Sequence, residues 1–304
     1  MNFNISESAN QFIAKQGNVA IYLKREDLLH PVVSGNKFRK LKYNLVYAKA
    51  NSYKSILTFG GAYSNHIAAV AAAGKEYGLQ TIGIIRGEEL ADSYGDNSTL
   101  QFAKQCGMHL EFVSRSAYRK KRDVSYLQDL NQQFPNSYII PEGGANALAI
   151  KGCEEILNTN DEDFDMICCS AGTGGTVAGL INSAKNHQKI LAFSALKGDF
   201  LKQEIQQWVT SNNSWELISD YHFGGYAKYN FELIQFINEF KKRYHIQLDP
   251  IYTAKMFYGI FDMINRNLFH RKTRILAVHT GGLQGITGIN QKLQQQGLPL
   301  ITHE

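Results

Sequence analysis

The residue most able to do chemistry in this chain is a lysine that directly follows a turn. Lys37 comes after Gly35-Asn36 and is followed by Arg39 and Lys40, at the predicted start of a helix. A helix start and neighbouring cations both lower the pKa of a lysine, which favours the free amine that Schiff-base chemistry requires. A solvated surface lysine is the alternative, so Lys37 needs partners elsewhere in the chain.

A glycine-rich turn at residues 170–176, Ser-Ala-Gly-Thr-Gly-Gly-Thr, lies between an apolar run and a helical pattern. Glycines let backbone N–H groups approach a ligand closely, and the N-terminus of the following helix favours an anion. A phosphate is the natural ligand, although a tight strand-to-helix turn would use the same residues. A dinucleotide site is not favoured, because the Gly-x-Gly-x-x-Gly frame that starts at Gly172 reaches Val177 at its last position. The candidate phosphate-binding residues are Gly172, Thr173, Gly174, Gly175 and Thr176.

A third turn, Gly60-Gly61, leads into Ser64-Asn65-His66 at the start of another predicted helix. The N-terminus of a helix can hold a substrate carboxylate on its backbone N–H groups and on the Ser64 hydroxyl. An ordinary Ser or Asn N-cap explains the same pattern, and a histidine such as His66 is more often structural than catalytic.

A fourth turn, His-Thr-Gly-Gly at residues 279–282, also follows an apolar run. Together the four turns predict a lysine Schiff base, two anion-binding helix starts and a polar strand end around one ligand. That combination indicates pyridoxal 5′-phosphate (PLP) as the cofactor. Tyr226 and Tyr252 are candidates on the substrate side, although packing is the usual role for one of 16 tyrosines.

Short apolar runs that alternate with amphipathic stretches must position these turns. The predicted strands cover residues 55–59, 81–85, 109–113, 138–140, 164–169, 189–195 and 274–278. The predicted helices cover residues 65–77, 96–106, 118–134, 148–157, 176–184, 201–210, 231–244 and 252–265. This alternation is typical of parallel sheets with crossover helices, which bind ligands beyond the carboxyl ends of their strands. We expect an α/β fold of two open units, a small domain at residues 46–147 and a large domain at residues 1–45 and 148–304.

Composition and charge are those of an ordinary soluble globular protein. The 304 residues are 44% hydrophobic and 19% charged, with a net charge of +5. The densest basic run, residues 115–122, is predicted to be a solvated helix face, so no nucleic-acid partner is expected. The four cysteines, Cys106, Cys153, Cys168 and Cys169, have neither disulfide nor zinc-site spacing and are predicted to be buried free thiols. The N-terminus, residues 1–6, has no signal-peptide pattern and no window is long enough to span a membrane, so a cytoplasmic location is expected.

Several separated motifs, in order along nearly the whole chain, resemble one known family. They lie at residues 24–27, 35–37, 64–66, 141–148, 172–180, 249–255 and 279–282. The chain is similar to the PLP-dependent family that contains 1-aminocyclopropane-1-carboxylate (ACC) deaminase and D-cysteine desulfhydrase. This family belongs to the tryptophan synthase β-subunit superfamily, known as fold type II. The resemblance implies two three-layer α/β/α domains, a small amino acid as substrate and a homodimer.

The resemblance also implies a role for each motif. Lys37 resembles the lysine that forms the Schiff base with the cofactor and carries the Cα proton. Ser64 matches the serine beside the substrate carboxylate, and Asn65 matches the asparagine that bonds the phenolic oxygen of the cofactor. The loop at residues 172–176 would hold the phosphate.

Two threonines distinguish branches of the family. Tyr252 resembles the tyrosine near the cofactor ring, and Tyr226 its companion over the substrate. Ring-opening deaminases typically carry a glutamate directly after the first of these tyrosines, where this chain has Thr253, and an apolar residue where it has Thr280. A threonine offers the pyridine nitrogen only a neutral hydrogen bond, which suits a simple β-elimination.

The sequence therefore predicts a PLP-dependent lyase that acts on a small amino acid by α,β-elimination. With D-cysteine the products would be pyruvate, ammonia and sulfide. Two alternatives stay open: ring-opening deamination of ACC, and a PLP-binding or phosphate-metabolite-binding protein without lyase activity. The family's usual threonine-proline segment before the first sheet strand is hard to find in residues 10–19, so the substrate could differ from both named compounds.

Overall fold

Two β-sheets organise the chain in a computed structural model that describes residues 6–270 and 272–302. The strands are β1 (Asn10–Gln16), β2 (Val19–Lys24), β3 (Ser55–Gly60), β4 (Gln80–Arg86), β5 (His109–Val113), β6 (Ser137–Ile140), β7 (Met166–Ala171), β8 (Lys189–Ser194), β9 (Trp215–Ile218) and β10 (Arg274–Val278). One sheet has the strand order β1-β2-β10-β7-β8-β9 and the other β5-β4-β3-β6. All neighbouring strands are parallel except β1 and β2, which form an antiparallel hairpin at the edge.

Helices lie against these sheets. They are α1 (Asn36–Ala50), α2 (Asn65–Tyr77), α3 (Ser98–Gln105), α4 (Arg115–Arg119), α5 (Val124–Gln133), α6 (Ala147–Glu154), α7 (Gly175–Ser183), α8 (Phe200–Gln206), α9 (Phe231–Tyr244), α10 (Thr253–Asn265) and α11 (Gly285–Gln295). Within the described ranges, none of these helices has the length and apolar character needed to cross a membrane.

Both sheets bury both of their faces, which explains the continuous apolar runs in the sequence. Along β10, Ile275 and Ala277 join one hydrophobic cluster, with α9, α10 and α11. The alternate residues Leu276 and Val278 join another, with α7 and α8. The structure therefore has the predicted three-layer α/β/α architecture.

The turn before α1 crosses the turn after β10, and this crossing fixes the geometry at the start of α1. Gly35 has a φ of 62°, and a Cβ there would lie 2.1 Å from the carbonyl oxygen of Thr280. Only glycine allows this approach, because it has no side chain and tolerates a positive φ. The turn before α1 is thus held against the turn after β10, which brings Lys37 towards the carboxyl end of that sheet.

The predicted elements were found with small shifts, apart from one helix. The bounds of α2, β5, α9 and β10 match the prediction. The single helix predicted at residues 118–134 is wrong, because a turn closed by the Asp123 N–H to Lys120 carbonyl bond separates α4 from α5. The hairpin β1–β2, the strand β9 and the helix α11 were not predicted.

Two further predictions concern the chain as a whole. Three cysteines are buried and free as predicted, whereas Cys106 is only partly buried. Part of the N-terminus used for the signal-peptide prediction, residues 1–5, lies outside the described residues. The four-stranded sheet falls within residues 55–140, and the domain bounds at residues 46 and 147 stay a prediction.

Candidate active site

Residues from all four turns line one cavity of about 950 Å³. Its lining includes Lys37, Ser64, Asn65, Gly172, Thr173, Gly174, Thr176, Tyr226, Tyr252 and Thr280. Gly175 is the exception among the predicted site residues: it does not line the cavity, although a Cβ there would lie 3.5 Å from Lys40 Nζ as well as near Ile150 and Ala145. Because each sheet is parallel where these turns leave it, strand ends far apart in sequence open into the same space.

Lys37 stands in the first turn of α1 and lines the cavity. Burial, and then the charge of Lys40, lower its pKa from the ordinary 10.5 to about 7. The predicted lowering is confirmed, but burial rather than the helix start is its main cause. Near neutral pH the amine is therefore partly unprotonated, as a nucleophile or a base must be.

Lys40 is a functional candidate that the sequence analysis missed. Its side chain is buried, and its Nζ donates to the carbonyl of Gly143 at 2.9 Å and to the hydroxyl of Thr173 at 3.3 Å. Burial lowers its pKa. The signal available in the sequence was its spacing, because residues three apart on a helix share a face, and Lys40 follows Lys37 by three.

The loop before α7 has the features of an anion site. Gly174 is the N-cap of α7 with a φ of 80°, and no side chain caps the helix. The first backbone N–H groups of α7 are thus left for another acceptor. Thr176 already accepts a hydrogen bond from the Asn36 amide at 2.8 Å, which ties this loop to the start of α1.

Ser64 caps α2, as the ordinary reading of its sequence predicts. Its Oγ accepts from the N–H of Ile67 at 3.3 Å. The hydroxyl proton is not used in that bond and can be donated into the cavity. An N-cap and a carboxylate-binding residue are therefore compatible roles for Ser64.

His66 is held in one tautomer by its neighbours. The hydroxyl of Thr58 donates to the carbonyl of Ile140 at 2.8 Å, so it must accept from the Nε2–H of His66 at 2.9 Å. Burial, followed by the charges of Lys37 and Lys40, keeps the His66 pKa well below its ordinary value. His66 is a neutral residue whose Nδ1 is a buried acceptor without a partner among the described residues.

The two tyrosines lie together on one side of the cavity. The rings of Tyr226 and Tyr252 have centroids 6.3 Å apart and meet edge to face at 63°. Lys255, which the sequence analysis missed, donates to the carbonyls of His222 and Gly225 at 2.8 Å each. Burial lowers the pKa of Lys255 to about 8. This buried lysine fixes the segment that carries Tyr226.

Thr253 does not line the cavity. This corrects the prediction that its hydroxyl could bond the pyridine nitrogen. Its side chain is fully buried and donates to the Asp249 carboxylate at 2.7 Å. That carboxylate also accepts from the N–H groups of Ile251, Tyr252 and Thr253, so it caps α10. Thr280, in contrast, lines the cavity.

Buried polar atoms without partners test whether these residues fit the predicted cofactor. Asn65 Oδ1, His66 Nδ1 and Ser170 Oγ are all buried and lack a hydrogen-bond partner among the described residues. Leaving such groups unsatisfied costs stability unless a ligand completes them. Asn65 and Ser170 line the same cavity as Lys37 and the α7 start. The uncapped start of α7 fits a phosphate, and these partnerless atoms fit further polar groups of a ligand, as PLP has both.

Comparison with known proteins finds matches over most of the chain. The family profile described as "Pyridoxal-phosphate dependent enzyme" matches residues 8–281. A putative ACC deaminase of Thermotoga maritima is 30% identical over 298 residues, covering 90% of this chain and 92% of that protein. A bifunctional, mitochondrial D-cysteine desulfhydrase/ACC deaminase of Arabidopsis thaliana is 28% identical and covers 88% of this chain and 73% of that protein.

Solved structures with similar folds include two enzymes. The crystal structure of an ACC deaminase homologue superposes with a TM-score of 0.81 at 27% identity, covering 95% of this chain and 94% of that one. An O-acetylserine-dependent cystathionine β-synthase of Helicobacter pylori has a TM-score of 0.65 at 15% identity, covering 91% and 93%. The second likeness concerns the fold alone.

Proposed function

Since the chain belongs to the pyridoxal-phosphate-dependent enzyme family, we propose that it is a lyase that performs α,β-elimination on a small amino acid such as D-cysteine. The products are a 2-keto acid, ammonia and, from D-cysteine, sulfide. The partly unprotonated Lys37 amine, in the same cavity as the uncapped start of α7, is the observation that supports this function most directly.

The donors of the cavity and the family resemblance support the following cofactor-binding residues. The N-terminal N–H groups of α7, with the hydroxyls of Thr173 and Thr176, bind the phosphate. Asn65 bonds the phenolic oxygen, and Lys37 is the lysine that carries the cofactor. When bound, PLP supplies an electron-withdrawing ring that stabilises negative charge at Cα.

Lys37 is the residue that transfers the proton. Its pKa of about 7 lets the free amine accept the Cα proton near neutral pH and return it later. The adjacent Lys40 charge favours this unprotonated form. Meanwhile Ser64 donates its free hydroxyl proton to the substrate carboxylate, beside the N-terminus of α2. Tyr252 and Tyr226 enclose the side chain of the substrate.

The preference for elimination over ring opening rests on the side chain at the pyridine nitrogen. The family resemblance offers Thr253 or Thr280 for that position; Thr253 is engaged by Asp249, which leaves Thr280 and its neutral hydrogen bond. Ring opening of ACC is the second candidate, because relatives carry both names. We also infer from the resemblance a homodimer in the cytoplasm.

Product analysis of the purified holoenzyme tests the proposal. D-cysteine, L-cysteine, D-serine and ACC are supplied separately, and sulfide, pyruvate and 2-oxobutanoate are quantified, with Lys37→Ala as the blank. We expect sulfide and pyruvate from D-cysteine, with kcat/KM at least about tenfold above that for ACC, a barrier difference of about 1.4 kcal/mol. The reverse ranking supports the ring-opening candidate, and no keto acid from any substrate indicates a non-catalytic binding protein.

A further inference from the structure

The cavity carries more positive charge than the cofactor and an α-carboxylate need. Seven basic and two acidic side chains line it. The two acids are already engaged: Glu89 pairs with Arg115, and Glu142 pairs with Lys121 at 3.4 Å. Lys37 and Lys40 lie in the part of the cavity proposed above to hold the cofactor. Three cations therefore remain: Arg86, Arg119 and Lys292 have no carboxylate within 4 Å among the described residues.

Of these three cations, Arg86 is the one that the fold holds against the turn after β3, which carries Ser64. It ends β4, the strand next to β3, whose following turn carries Ser64. A Cβ at Gly61 would lie 3.4 Å from an Nη atom of Arg86. The absence of a side chain at Gly61 thus leaves the guanidinium close to this turn.

An aromatic ring supports the guanidinium from another side. The Arg86 guanidinium carbon lies 5.8 Å from the ring centroid of Tyr118. Tyr118 is 2% exposed, and its hydroxyl donates to Glu142 at 2.7 Å. Stacking on a fixed ring orients a guanidinium without using its N–H groups. The Arg86 side chain is exposed and no hydrogen bond from it occurs within the described ranges, so its five donors are open to solvent or a ligand.

Arg86 also lies near the tyrosine assigned to the substrate side. Burial and the charge of Glu142 raise the pKa of Tyr226, and the hydrogen bond to Tyr252 and the charge of Arg86 oppose that rise. Tyr226 in turn packs edge to face on Tyr252. The free guanidinium and the tyrosine pair therefore face one part of the cavity, next to the loop before α7, where a Cβ at Gly172 would lie 3.0 Å from the Tyr252 ring.

We propose that Arg86 binds an oxyanion on the β-carbon of the substrate amino acid, such as a phosphate ester or a sulfonate. This inference rests on the proposed elimination and names its substrate class. In the proposed function the start of α2 binds the α-carboxylate and the start of α7 binds the cofactor phosphate. Arg86 is therefore available for a third anion. A guanidinium matches such an oxyanion with two parallel N–H···O bonds.

The reaction balances without any further reactant except water. Lys37 takes the Cα proton, the bond from Cβ to the substituent breaks, and the substituent leaves with the electron pair while paired with Arg86. The remaining enamine is hydrolysed to a 2-keto acid and ammonium. O-phosphoserine would give pyruvate, ammonium and phosphate, and cysteate would give pyruvate, ammonium and sulfite.

The test compares substrate specificity and binding in matched variants of the holoenzyme. Both enantiomers of O-phosphoserine, cysteate and cysteine are assayed with the wild type, Arg86→Gln, Arg86→Lys and the control Lys292→Gln. Lys292 lines the same cavity, and its ammonium lies 5.3 Å from the Tyr63 ring centroid. We expect the ratio of kcat/KM for the best oxyanionic substrate over cysteine to exceed one. That ratio should fall roughly 100-fold in Arg86→Gln, about tenfold in Arg86→Lys and not in Lys292→Gln.

Equilibrium binding separates failure of this inference from failure of the proposed function. The dissociation constant of O-phosphoserine and of cysteate is measured by calorimetry, which needs no turnover. Weaker binding in Arg86→Gln but not in Lys292→Gln supports the oxyanion site even if no substrate reacts. Unchanged binding, or an unchanged specificity ratio in Arg86→Gln, overturns it, while sulfide release from D-cysteine leaves the proposed elimination standing.

Discussion

Two faces of helix α1 carry buried or partly buried cations in opposite circumstances. On one face, Arg39 makes two hydrogen bonds of 2.9 Å to the fully buried carboxylate of Glu26. On the other face, Lys37 and Lys40 have no carboxylate within 4 Å among the described residues. Lys40 relies on the neutral oxygens of Gly143 and Thr173 instead.

The difference separates structural charge from charge held for a ligand. Lys24 follows the pattern of Arg39, because its fully buried ammonium pairs with Asp161 at 2.8 Å. Burial of a cation beside its own anion satisfies both, whereas burial without an anion lowers the pKa of the lysine. An anionic ligand placed near Lys37 and Lys40 would complete the unpaired face of α1.

The largest effect is expected from removing the amine of Lys37. Lys37→Ala should lower turnover by at least about 10³-fold, because both the cofactor link and the proton carrier are lost. Borohydride reduction of the wild-type holoenzyme, followed by peptide mass spectrometry, should find the pyridoxyl group on Lys37. Lys40→Met serves as the control and should keep that label. A label on Lys40 in the wild type would assign the two lysines the opposite way.

Removing an anion from the paired face should cost stability without touching the cavity. Glu26→Gln leaves the buried Arg39 without its partner and should lower the free energy of unfolding by about 3–5 kcal/mol. Lys40→Met, which removes an unpaired buried cation, should leave the cofactor-free protein equally stable or stabilise it. Urea unfolding of the two cofactor-free variants measures both changes. Equal losses in both would mean that the two faces of α1 do not differ in this way.

The sequence reveals the parts of this site that depend on local pattern. The α2 bounds, the loop before α7 and the position of Lys37 are all encoded within a few neighbouring residues: an N-cap, successive glycines and a turn before a helix. The roles assigned to Ser64, Asn65, Tyr226 and Thr280 remain predictions, although all four line the cavity.

The remainder depends on tertiary contacts that no local pattern carries. The spacing from Lys37 places Lys40 on the same face of α1, but the approach of Gly143, 103 residues away, is what makes Lys40 part of the site. Thr253 was predicted to face the cofactor, but the nearby Asp249 takes its hydroxyl. The basic run at residues 115–122 was predicted to be a solvated face. Its cations Arg115, Arg119, Lys120 and Arg122 are exposed as predicted, but the sequence did not show that Arg115, Arg119 and Lys121 also line the cavity.

The smallest expected effect is a pH dependence of stability that arises on the unpaired face. In the cofactor-free protein the Lys37 pKa is about 7, against 10.5 for an ordinary lysine. Between these values the unfolded chain binds one more proton than the folded protein, so rising pH favours the folded state. Below pH 7 both states are protonated, and the cost of burying the charge is fully present. The melting temperature of the wild type should therefore rise relative to that of Lys37→Met from about pH 7 towards pH 10, by about 2 °C per pH unit or less.

Lys40→Met, which removes another lysine whose pKa is lowered by burial, should give a difference of the same sign. Differential scanning calorimetry at several pH values measures both, and a difference that stays flat or falls with pH would show that Lys37 is not buried as an uncompensated charge.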